Sequence, residues 1–320
     1  MRKRICVIGG GRWGKNHIKT LHKLGNLCGV VETDGKTLQD IVTQYHTEGF
    51  LNIEEAIDRQ FDGYILATPA ETHYPIGKNL LERGLNVLIE KPMALSSLNS
   101  GELMSIAEKT GAKLMTGHLL LFHPAIKKIK EMIESGKLGR LHYIYSNRLN
   151  FGTVRTEENV FWSFAPHDIS VLDYLIGKQA VSIEAVGSEF LQSGICDFTM
   201  THITYPENVH AHIFVSWIHP FKEQRLVVIG SRGMVSFDDS SEEKIIYFYD
   251  KHIDVVFNQP VITEKPAEKI FYEKAMPLEE ELKYFIENLN GKIEISDGKS
   301  GHEVVKVLER VQEILMNKKV

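Results

Sequence analysis

Two short motifs contain the residues of this chain whose types and spacing can do chemistry. The first is the glycine-rich stretch Gly9-Gly10-Gly11-Arg12-Trp13-Gly14, and the second, about eighty residues later, is Glu90-Lys91-Pro92. Glycines in a tight turn let backbone N–H groups approach the phosphates of a dinucleotide, and a helix that starts there favours an anion. The second motif adds a cation. Together the motifs indicate a dinucleotide site with an ammonium group beside it.

The residues around the glycines predict a strand, a tight turn and a helix. The apolar run 5–8 is typical of a buried parallel strand, and apolar residues recur at helical spacing from residue 13 to residue 24. We expect Gly9 to permit the turn, Gly11 to let the backbone approach a pyrophosphate, and Gly14 to let the helix pack closely. The residues of this turn that we expect to contact the cofactor are Gly9, Gly11, Arg12, Trp13 and Gly14.

An acidic residue follows the second predicted strand, at residues 27–31. Glu32 lies 18 residues beyond Gly14, close to the spacing of about 20 expected for a carboxylate that accepts hydrogen bonds from the adenosine ribose. A carboxylate at this position repels a 2′-phosphate. The sequence therefore favours NAD over NADP, and Lys36 is the residue that would favour NADP.

Polar residues also follow the predicted strands 63–67 and 86–89. In open parallel sheets the ligand crevice lies outside the carboxyl ends of the strands, so these residues should line it. Pro92 has a fixed φ and biases Lys91 toward an extended backbone, so that the lysine should face the nicotinamide side. The further residues expected to contact the cofactor are Thr68, Pro69, His73, Glu90 and Lys91.

Composition excludes several classes of partner. The chain has 320 residues, a net charge of −5 and a pI near 6.3, and no basic stripe interleaved with aromatic residues, so we expect no nucleic-acid partner. No apolar run reaches membrane-spanning length, and we expect no membrane association. Cys6, Cys28 and Cys196 form no CxxC pair, which is typical of reduced thiols in a cytoplasmic protein.

The pattern along the chain predicts two domains with a boundary near residue 120. Residues 1–120 alternate strands with helices, including helices at 75–82 and at 97–109 with Ser97 as the cap, and this alternation predicts a doubly wound parallel sheet. Residues 121–320 begin with a helix from Pro124 and continue with longer alternating strands. An amphipathic helix from Gly301 closes the chain. The fold class is α/β, with a sheet-rich second domain.

Several segments together resemble the glucose-fructose oxidoreductase, inositol dehydrogenase and MocA family. They are the glycine turn, residues 67–74 (ATPAETHY), residues 87–92 (VLIEKP), Gly117-His118 and residues 165–169 (APHDI). The resemblance implies an N-terminal Rossmann domain and a C-terminal α+β domain with a large open-faced, mainly antiparallel sheet. It implies a homodimer or homotetramer assembled through that sheet. It also implies hydride transfer between a sugar or polyol carbon and a nicotinamide, with Lys91 and His167 as the catalytic residues.

Residues 147–150, 162–167, 215–217 and 230–233 resemble most the branch of the family that acts on nucleotide sugars. The resemblance implies a UDP-sugar substrate, oxidised at C3 as in the 3-dehydrogenases of UDP-N-acetylglucosamine or its uronate. A keto-deoxysugar reductase and an inositol-type polyol dehydrogenase are alternative enzymes with the same motifs. A catalytically inactive, NAD-sensing regulator is the alternative from a different class.

Oxidation of a secondary alcohol requires a base, and His167 suits that role because an unperturbed imidazole exchanges protons near neutral pH. Lys91 would hydrogen-bond the developing alkoxide, although the two roles could be exchanged. One departure from the family pattern concerns the residue four positions before the histidine. Many members have an aspartate there, whereas this chain has Ser163, which can hydrogen-bond the imidazole but supplies no charge.

Further polar residues are candidates for substrate binding. His118 and His123 flank the predicted domain crossover, where satisfied polar groups at an interface are the alternative interpretation. Arg148 and Arg155 could pair with a diphosphate or carboxylate, with surface ion pairing as the alternative. The residues expected to contact substrate are His118, His123, Asn147, Arg148, Arg155, Ser163 and His167. The histidines at 202, 210 and 212 lack an acid at ligand spacing, so we expect no metal site.

Overall fold

The computed structural model describes residues 2–317, which form two compact units. The first consists of the described chain through Phe122 together with Ala275–Lys306, and the second of His123–Lys274 together with the described residues from Val307 onward. Each unit contains one large β-sheet, and both sheets confirm the α/β class. None of the helices within residues 2–317 is both long enough and apolar enough to cross a membrane.

The first unit contains a six-stranded sheet and five helices in its N-terminal stretch. The strands are β1 Ile5–Ile8, β2 Leu27–Val31, β3 Glu48–Phe50, β4 Gly63–Leu66, β5 Val87–Glu90 and β6 Leu114–Gly117. The helices are α1 Gly14–Leu24, α2 Gly35–Tyr45, α3 Ile53–Asp58, α4 Ala70–Glu82 and α5 Ser97–Thr110. A short 3₁₀ turn, Leu119–Phe122, follows β6.

All neighbouring strands of this sheet are parallel, in the order β3-β2-β1-β4-β5-β6. The predicted doubly wound sheet is therefore confirmed. The direction of strand progression reverses between β1 and β4, and a ligand crevice forms outside the carboxyl ends of strands at such a reversal. The glycine turn, the loop from Ala67 and the Glu90-Lys91-Pro92 segment follow β1, β4 and β5 at that edge.

Two helices begin earlier than the sequence pattern suggests. α4 begins at Ala70, so that Pro75 lies inside it, and the N–H of Thr72 donates to the Pro69 carbonyl at 2.9 Å in its first turn. A proline removes one backbone hydrogen bond, and the remaining bonds of the helix outweigh that loss. In α5 the cap is Ser96, whose hydroxyl accepts from the N–H of Asn99 at 3.2 Å, and Ser97 is the first helical residue.

The stretch His123–Lys274 of the second unit contains an eight-stranded sheet, a separate hairpin and two α-helices. The sheet strands are β7 Leu141–Phe151, β8 Ser182–Ser188, β9 Phe198–Tyr205, β10 Val209–Ser216, β11 Ile218–Gly230, β12 Met234–Asp238, β13 Ile246–Tyr249 and β16 Glu268–Ile270. The hairpin consists of β14 Lys251–Val256 and β15 Gln259–Glu264. The helices are α6 Pro124–Glu134 and α7 Val160–Ile176.

The eight strands are arranged in the order β16-β13-β12-β11-β7-β10-β9-β8. Only β7 and β10 are parallel neighbours in this order, so the sheet is mainly antiparallel, as expected. Helix α7 packs on one face with Ile169 and Leu172 fully buried. Tyr143 and Met200, at alternate positions that point to the opposite face, are 43% and 51% exposed.

An ion pair fastens α7 to the central strand β7. Asp168 is 2% exposed and accepts from Nε of Arg148 at 2.8 Å, from Nη2 of Arg148 at 3.1 Å and from the hydroxyl of Ser146 at 2.6 Å. A two-pronged guanidinium contact of this kind fixes direction as well as distance. Asp168 therefore sets the placement of its neighbour His167 on the sheet.

The last two helices are α8 Pro277–Glu287 and α9 Gly298–Asn317. The segment that contains α8 belongs to the first unit, whereas a single boundary near residue 120 would assign it to the second domain. Phe285 and Leu289 are buried beside Gly63, and the Thr116 N–H donates to the Ser296 carbonyl at 2.8 Å. The bond to Ser296 covers the edge strand β6, and Phe285 and Leu289 pack at the start of the interior strand β4.

We predict that Asp168→Ala lowers the free energy of unfolding by about 3–5 kcal/mol, because it leaves the largely buried Arg148 guanidinium without its counter-charge. Urea denaturation monitored by circular dichroism measures this change. The control is Glu131→Ala, which removes an exposed ion pair with Lys128 and should cost less than about 1 kcal/mol. Equal effects of the two substitutions would contradict the anchoring role of Asp168.

Candidate functional site

The glycine turn after β1 is shaped by close backbone contacts. Gly9 has a φ of +101°, and a Cβ there would lie 2.7 Å from the Ala67 carbonyl oxygen. A Cβ on Gly14 would lie 1.9 Å from the carbonyl oxygen of Gly9, so only glycine fits at the start of α1. Gly11 has open space around its Cβ position. The turn is therefore tight on its protein side and open at Gly11, as a phosphate-binding turn requires.

Glu32, directly after β2, lies against this turn. One carboxylate oxygen accepts from the backbone N–H of Gly10 at 2.7 Å, and the other accepts from the N–H of Asp34 at 3.0 Å. The carboxylate is thus held beside the glycines by the main chain. It can accept from ribose hydroxyls there, and its charge opposes a 2′-phosphate.

Glu90, the last residue of β5, is a buried carboxylate with several donors. Its Oε1 accepts from the ring N–H of Trp13, and Nε2 of His17 lies 2.7 Å from the same oxygen. The backbone N–H of Lys91 donates to Oε2 at 3.2 Å. Burial alone would raise the pKa of Glu90, but the contacts with His17 and Trp13 outweigh it and hold that pKa below its usual range. Glu90 is therefore an anion.

His73 supports two loops of the crevice. It is 1% exposed, with Nδ1 2.8 Å from the Pro92 carbonyl oxygen and Nε2 2.9 Å from the Thr68 carbonyl oxygen. Burial lowers the pKa of His73, and the two carbonyl contacts oppose this effect. Both ring nitrogens lie against main-chain carbonyls, and the expected contact between His73 and the cofactor stays a prediction.

The first unit therefore brings most of the expected cofactor residues to one sheet edge. Lys91 lies there, partly buried, between Glu90 and Pro92. Arg12 is exposed at the glycine turn, and the hydroxyl of Thr68 lies 2.6 Å from that of Thr72 in the loop after β4. The carboxylate of Glu90 contacts Trp13, His17 and the Lys91 N–H, and its expected contact with the cofactor stays a prediction.

His118, a candidate for substrate contact, is 1% exposed in the first unit. Neither ring nitrogen has a hydrogen-bond partner among residues 2–317, and burial lowers the pKa of His118 to about 4. The ring is therefore neutral at physiological pH. The expected contact of His118 with substrate stays a prediction.

In the second unit, His167 and Ser163 are four residues apart in α7 and so share one face of the helix. Ser163 is 8% exposed, and His167 is partly buried. The neighbouring Asp168 is committed to Arg148, so it does not replace the family aspartate that Ser163 departs from. The His167 imidazole thus shares its helix face with the neutral hydroxyl of Ser163.

Other candidates for substrate contact have structural partners in this unit. Arg148 is paired with Asp168, and Asn147, on the opposite face of β7, donates to Glu223 at 3.1 Å. His123 caps α6: its Nδ1 accepts from the N–H of Ala125 at 3.1 Å. Each of these side chains thus has a structural contact, and its expected role in substrate binding stays a prediction. Arg155 is exposed in the loop before α7, where its charge helps to lower the pKa of Glu157, after the larger effects of hydrogen bonds from Thr156.

His17 is a residue of the site that the sequence reasoning missed. It is fully buried, in the row of α1 that also holds Gly14, Ile18 and Leu21. The signal that could have identified it is a polar side chain at an apolar position of an amphipathic helix, since such a residue needs a partner.

Several histidines of the eight-stranded sheet contact other aromatic rings. Nε2 of His202 lies 3.2 Å from Nδ1 of His210, and His212 stacks on Tyr145 with ring centroids 5.1 Å apart. Within residues 2–317, no group of three or more His, Cys, Asp or Glu side chains is arranged to hold a metal ion.

The residues at the carboxyl ends of the strands of the six-stranded sheet fit a dinucleotide. An open Gly11 at the start of α1 can hold a pyrophosphate, Glu32 can hold a ribose, and Lys91 lies at the neighbouring strand end.

Comparison with known proteins agrees with this assignment. Residues 3–118 match the model of an oxidoreductase family with an NAD-binding Rossmann fold, and residues 126–236 match the C-terminal domain of the glucose-fructose oxidoreductase, inositol dehydrogenase and MocA family. The two matches together cover more than half of the chain.

Relatives with curated functions include sugar and polyol dehydrogenases. UDP-N-acetylglucosamine 3-dehydrogenase of Acidithiobacillus ferrooxidans is 25% identical over 185 residues, which is 58% of this chain and 58% of that protein. scyllo-Inositol 2-dehydrogenase (NAD(+)) of Bacillus subtilis is 26% identical over 252 residues, or 72% of each chain.

Solved structures share the fold over nearly the whole chain. The Acidithiobacillus ferrooxidans UDP-N-acetylglucosamine 3-dehydrogenase superposes with a TM-score of 0.87 at 21% identity, covering 99% of this chain and 98% of that one. GenD2 from gentamicin A biosynthesis, solved in complex with NAD, gives a TM-score of 0.83 at 21% identity, covering 99% and 95%. The chain belongs to the glucose-fructose oxidoreductase, inositol dehydrogenase and MocA family of NAD-binding oxidoreductases.

Proposed function

We propose that this protein oxidises a secondary alcohol of a nucleotide sugar, at C3 of a UDP-N-acetylhexosamine or its uronate, with NAD as the cofactor. The observation that carries the proposal is the position of Lys91. It lies at the carboxyl end of β5, the sheet edge where the glycine turn and the Thr68 loop also lie. The sugar class rests on the motifs shared with nucleotide-sugar enzymes and on the UDP-N-acetylglucosamine 3-dehydrogenase among the relatives.

In this proposal the two catalytic side chains act on one hydroxyl group. His167 accepts the hydroxyl proton, with Ser163 as a neutral hydrogen-bonding neighbour on α7. Lys91 donates a hydrogen bond to the same oxygen as negative charge develops on it. NAD, when bound, supplies the two-electron oxidant. Arg155 is the exposed cation proposed to pair with the diphosphate or a uronate carboxylate.

We also propose that residues 1–120 hold the cofactor and that residues 121–320 hold the substrate. The second unit would also assemble the protein as a homodimer or homotetramer through the open face of its eight-stranded sheet. The exposed apolar side chains of Tyr143 and Met200 on that face support the assembly proposal, because a subunit contact would remove them from water.

We expect Lys91→Ala and His167→Ala each to lower kcat by about 100-fold or more, because each removes a group that acts in the transition state. NADH affinity should change by less than about threefold. Steady-state assays and NADH fluorescence titration measure the two quantities. The control Lys109→Ala removes an exposed lysine of α5 and should leave both unchanged. Near-normal turnover in either alanine variant would remove that residue from the mechanism.

The substrate is tested with UDP-N-acetylglucosamine, its uronate, myo-inositol and scyllo-inositol, each with NAD, by following NADH absorbance. Turnover should be fastest with one of the two UDP-sugars. Preference for an inositol would replace the nucleotide-sugar assignment with a polyol one. Measurable NADH binding without oxidation of any of the four would instead favour the NAD-sensing regulator.

The cofactor preference is tested by Glu32→Gln, which keeps an oxygen for the Gly10 N–H but removes the charge. We expect the ratio of the NADPH and NADH dissociation constants to fall by at least about tenfold, since the repulsion of the 2′-phosphate is lost; tenfold corresponds to about 1.4 kcal/mol. Asp40→Asn, an exposed substitution on α2, is the matched control. An unchanged ratio would show that another group sets the preference.

A further inference from the structure

Lys91 is flanked by two residues that are each held by a buried histidine. The preceding residue, Glu90, is contacted by His17 of α1, and the following residue, Pro92, is contacted by His73 of α4. The two histidines are 0% and 1% exposed, so water does not compete for these contacts. Lys91 therefore lies between two residues that are each held by a histidine from a different helix.

The contact on the Glu90 side fixes the carboxylate in direction as well as position. Nε2 of His17 lies 2.7 Å from Oε1, and because Glu90 is an anion, the imidazole must donate from this nitrogen. A Cβ on Gly117 would lie 3.0 Å from the carboxyl carbon, so the group is seated directly against the backbone of β6. Its other oxygen accepts from the N–H of Lys91 and restrains the lysine backbone.

The contact on the Pro92 side ties the lysine turn to the loop after β4. His73 meets two carbonyl oxygens, of Pro92 at 2.8 Å and of Thr68 at 2.9 Å, and a carbonyl can only accept. Because burial lowers the pKa of His73, the neutral ring is favoured, and it carries one hydrogen and donates to one of these carbonyls at a time. Donation from Nδ1 restrains the residue after Lys91, whereas donation from Nε2 restrains the loop that begins at Thr68.

We propose that His17 and His73 are positioning residues, which hold the Glu90-Lys91-Pro92 turn on both sides and so place the Lys91 ammonium for its catalytic role. This inference rests on the proposed function of Lys91. It goes beyond that function because it assigns the placement of the lysine to two buried histidines, which contact the residues on either side of it.

Substitution of a histidine by Asn or by Gln tests the contacts of its two ring nitrogens separately. The Asn nitrogen lies near the place of Nδ1, and the Gln nitrogen lies near the place of Nε2. His17→Gln therefore keeps the donor to Glu90, and His17→Asn loses it. At position 73 the order is reversed, because His73→Asn keeps the donor to the Pro92 carbonyl, and His73→Gln keeps only the donor to Thr68.

We expect His17→Gln and His73→Asn to retain kcat within about threefold of the parent, and His17→Asn and His73→Gln to lose about tenfold or more, with NADH affinity nearly unchanged in all four. A role confined to folding would lower the melting temperature of the variants that lose the donor but leave the kcat of the folded protein unchanged. Circular dichroism melting checks that each variant is folded. His22→Gln, on the exposed side of α1, is the control. The reverse order of turnover, or equal turnover in all four folded variants, would overturn the proposal.

A second measurement needs no sugar. In the NAD-loaded protein, the rate at which acetic anhydride acylates Lys91 is compared with the rate at Lys109 by peptide mass spectrometry. The Lys91 to Lys109 ratio should rise at least threefold in His17→Asn and His73→Gln, where the turn is released, and remain near the parent value in the other two. An unchanged or lower ratio overturns the positioning role. If the ratio behaves as expected but no sugar is oxidised, the positioning inference stands and the proposed substrate falls.

Discussion

The buried negative charge of Glu90 is the interaction on which the first unit's site depends. A carboxylate with so little exposure is stable only with hydrogen-bond donors around it. This one contacts the indole of Trp13, the imidazole of His17 and the Lys91 N–H. Those donors come from the start of α1 and from the end of β5. The carboxylate thus joins the turn that receives phosphate to the turn that presents the lysine. Nearby Glu281 is the opposite case: burial raises its pKa well above the usual range, so it remains neutral.

Much of the first sheet could be predicted because its strands are buried on both faces. Continuous apolar runs bounded by glycine or polar residues gave β1 and β2 their observed limits, Ile5–Ile8 and Leu27–Val31. The start of α4 was missed because Pro75 looks like a beginning, although a helix tolerates it in its second turn. The sequence pattern did not indicate that α8 belongs to the first unit. Phe285 and Leu289 look the same in sequence whichever core they enter.

The site could be predicted where topology alone places a residue. Gly9, Glu32 and Lys91 follow strand ends, and parallel strands bring those ends to one edge. Residues whose role depends on a partner distant in sequence were beyond such reasoning. Arg148 has the chemistry to bind an anion, but the fold supplies Asp168 as that anion. His73 has the chemistry to touch a nucleotide, but two carbonyl oxygens engage it first.

The first unit is built from two stretches of chain that are separated by the whole second sheet. During synthesis, its six strands leave the ribosome early, yet the edge strand β6 meets Ser296 only after the second unit has been made. The nucleotide-binding half therefore begins first and is completed last. Until then, the surface around Gly63 that receives Phe285 and Leu289 is uncovered. The nascent chain carries an apolar patch through most of its translation, which is the interval in which chaperones act.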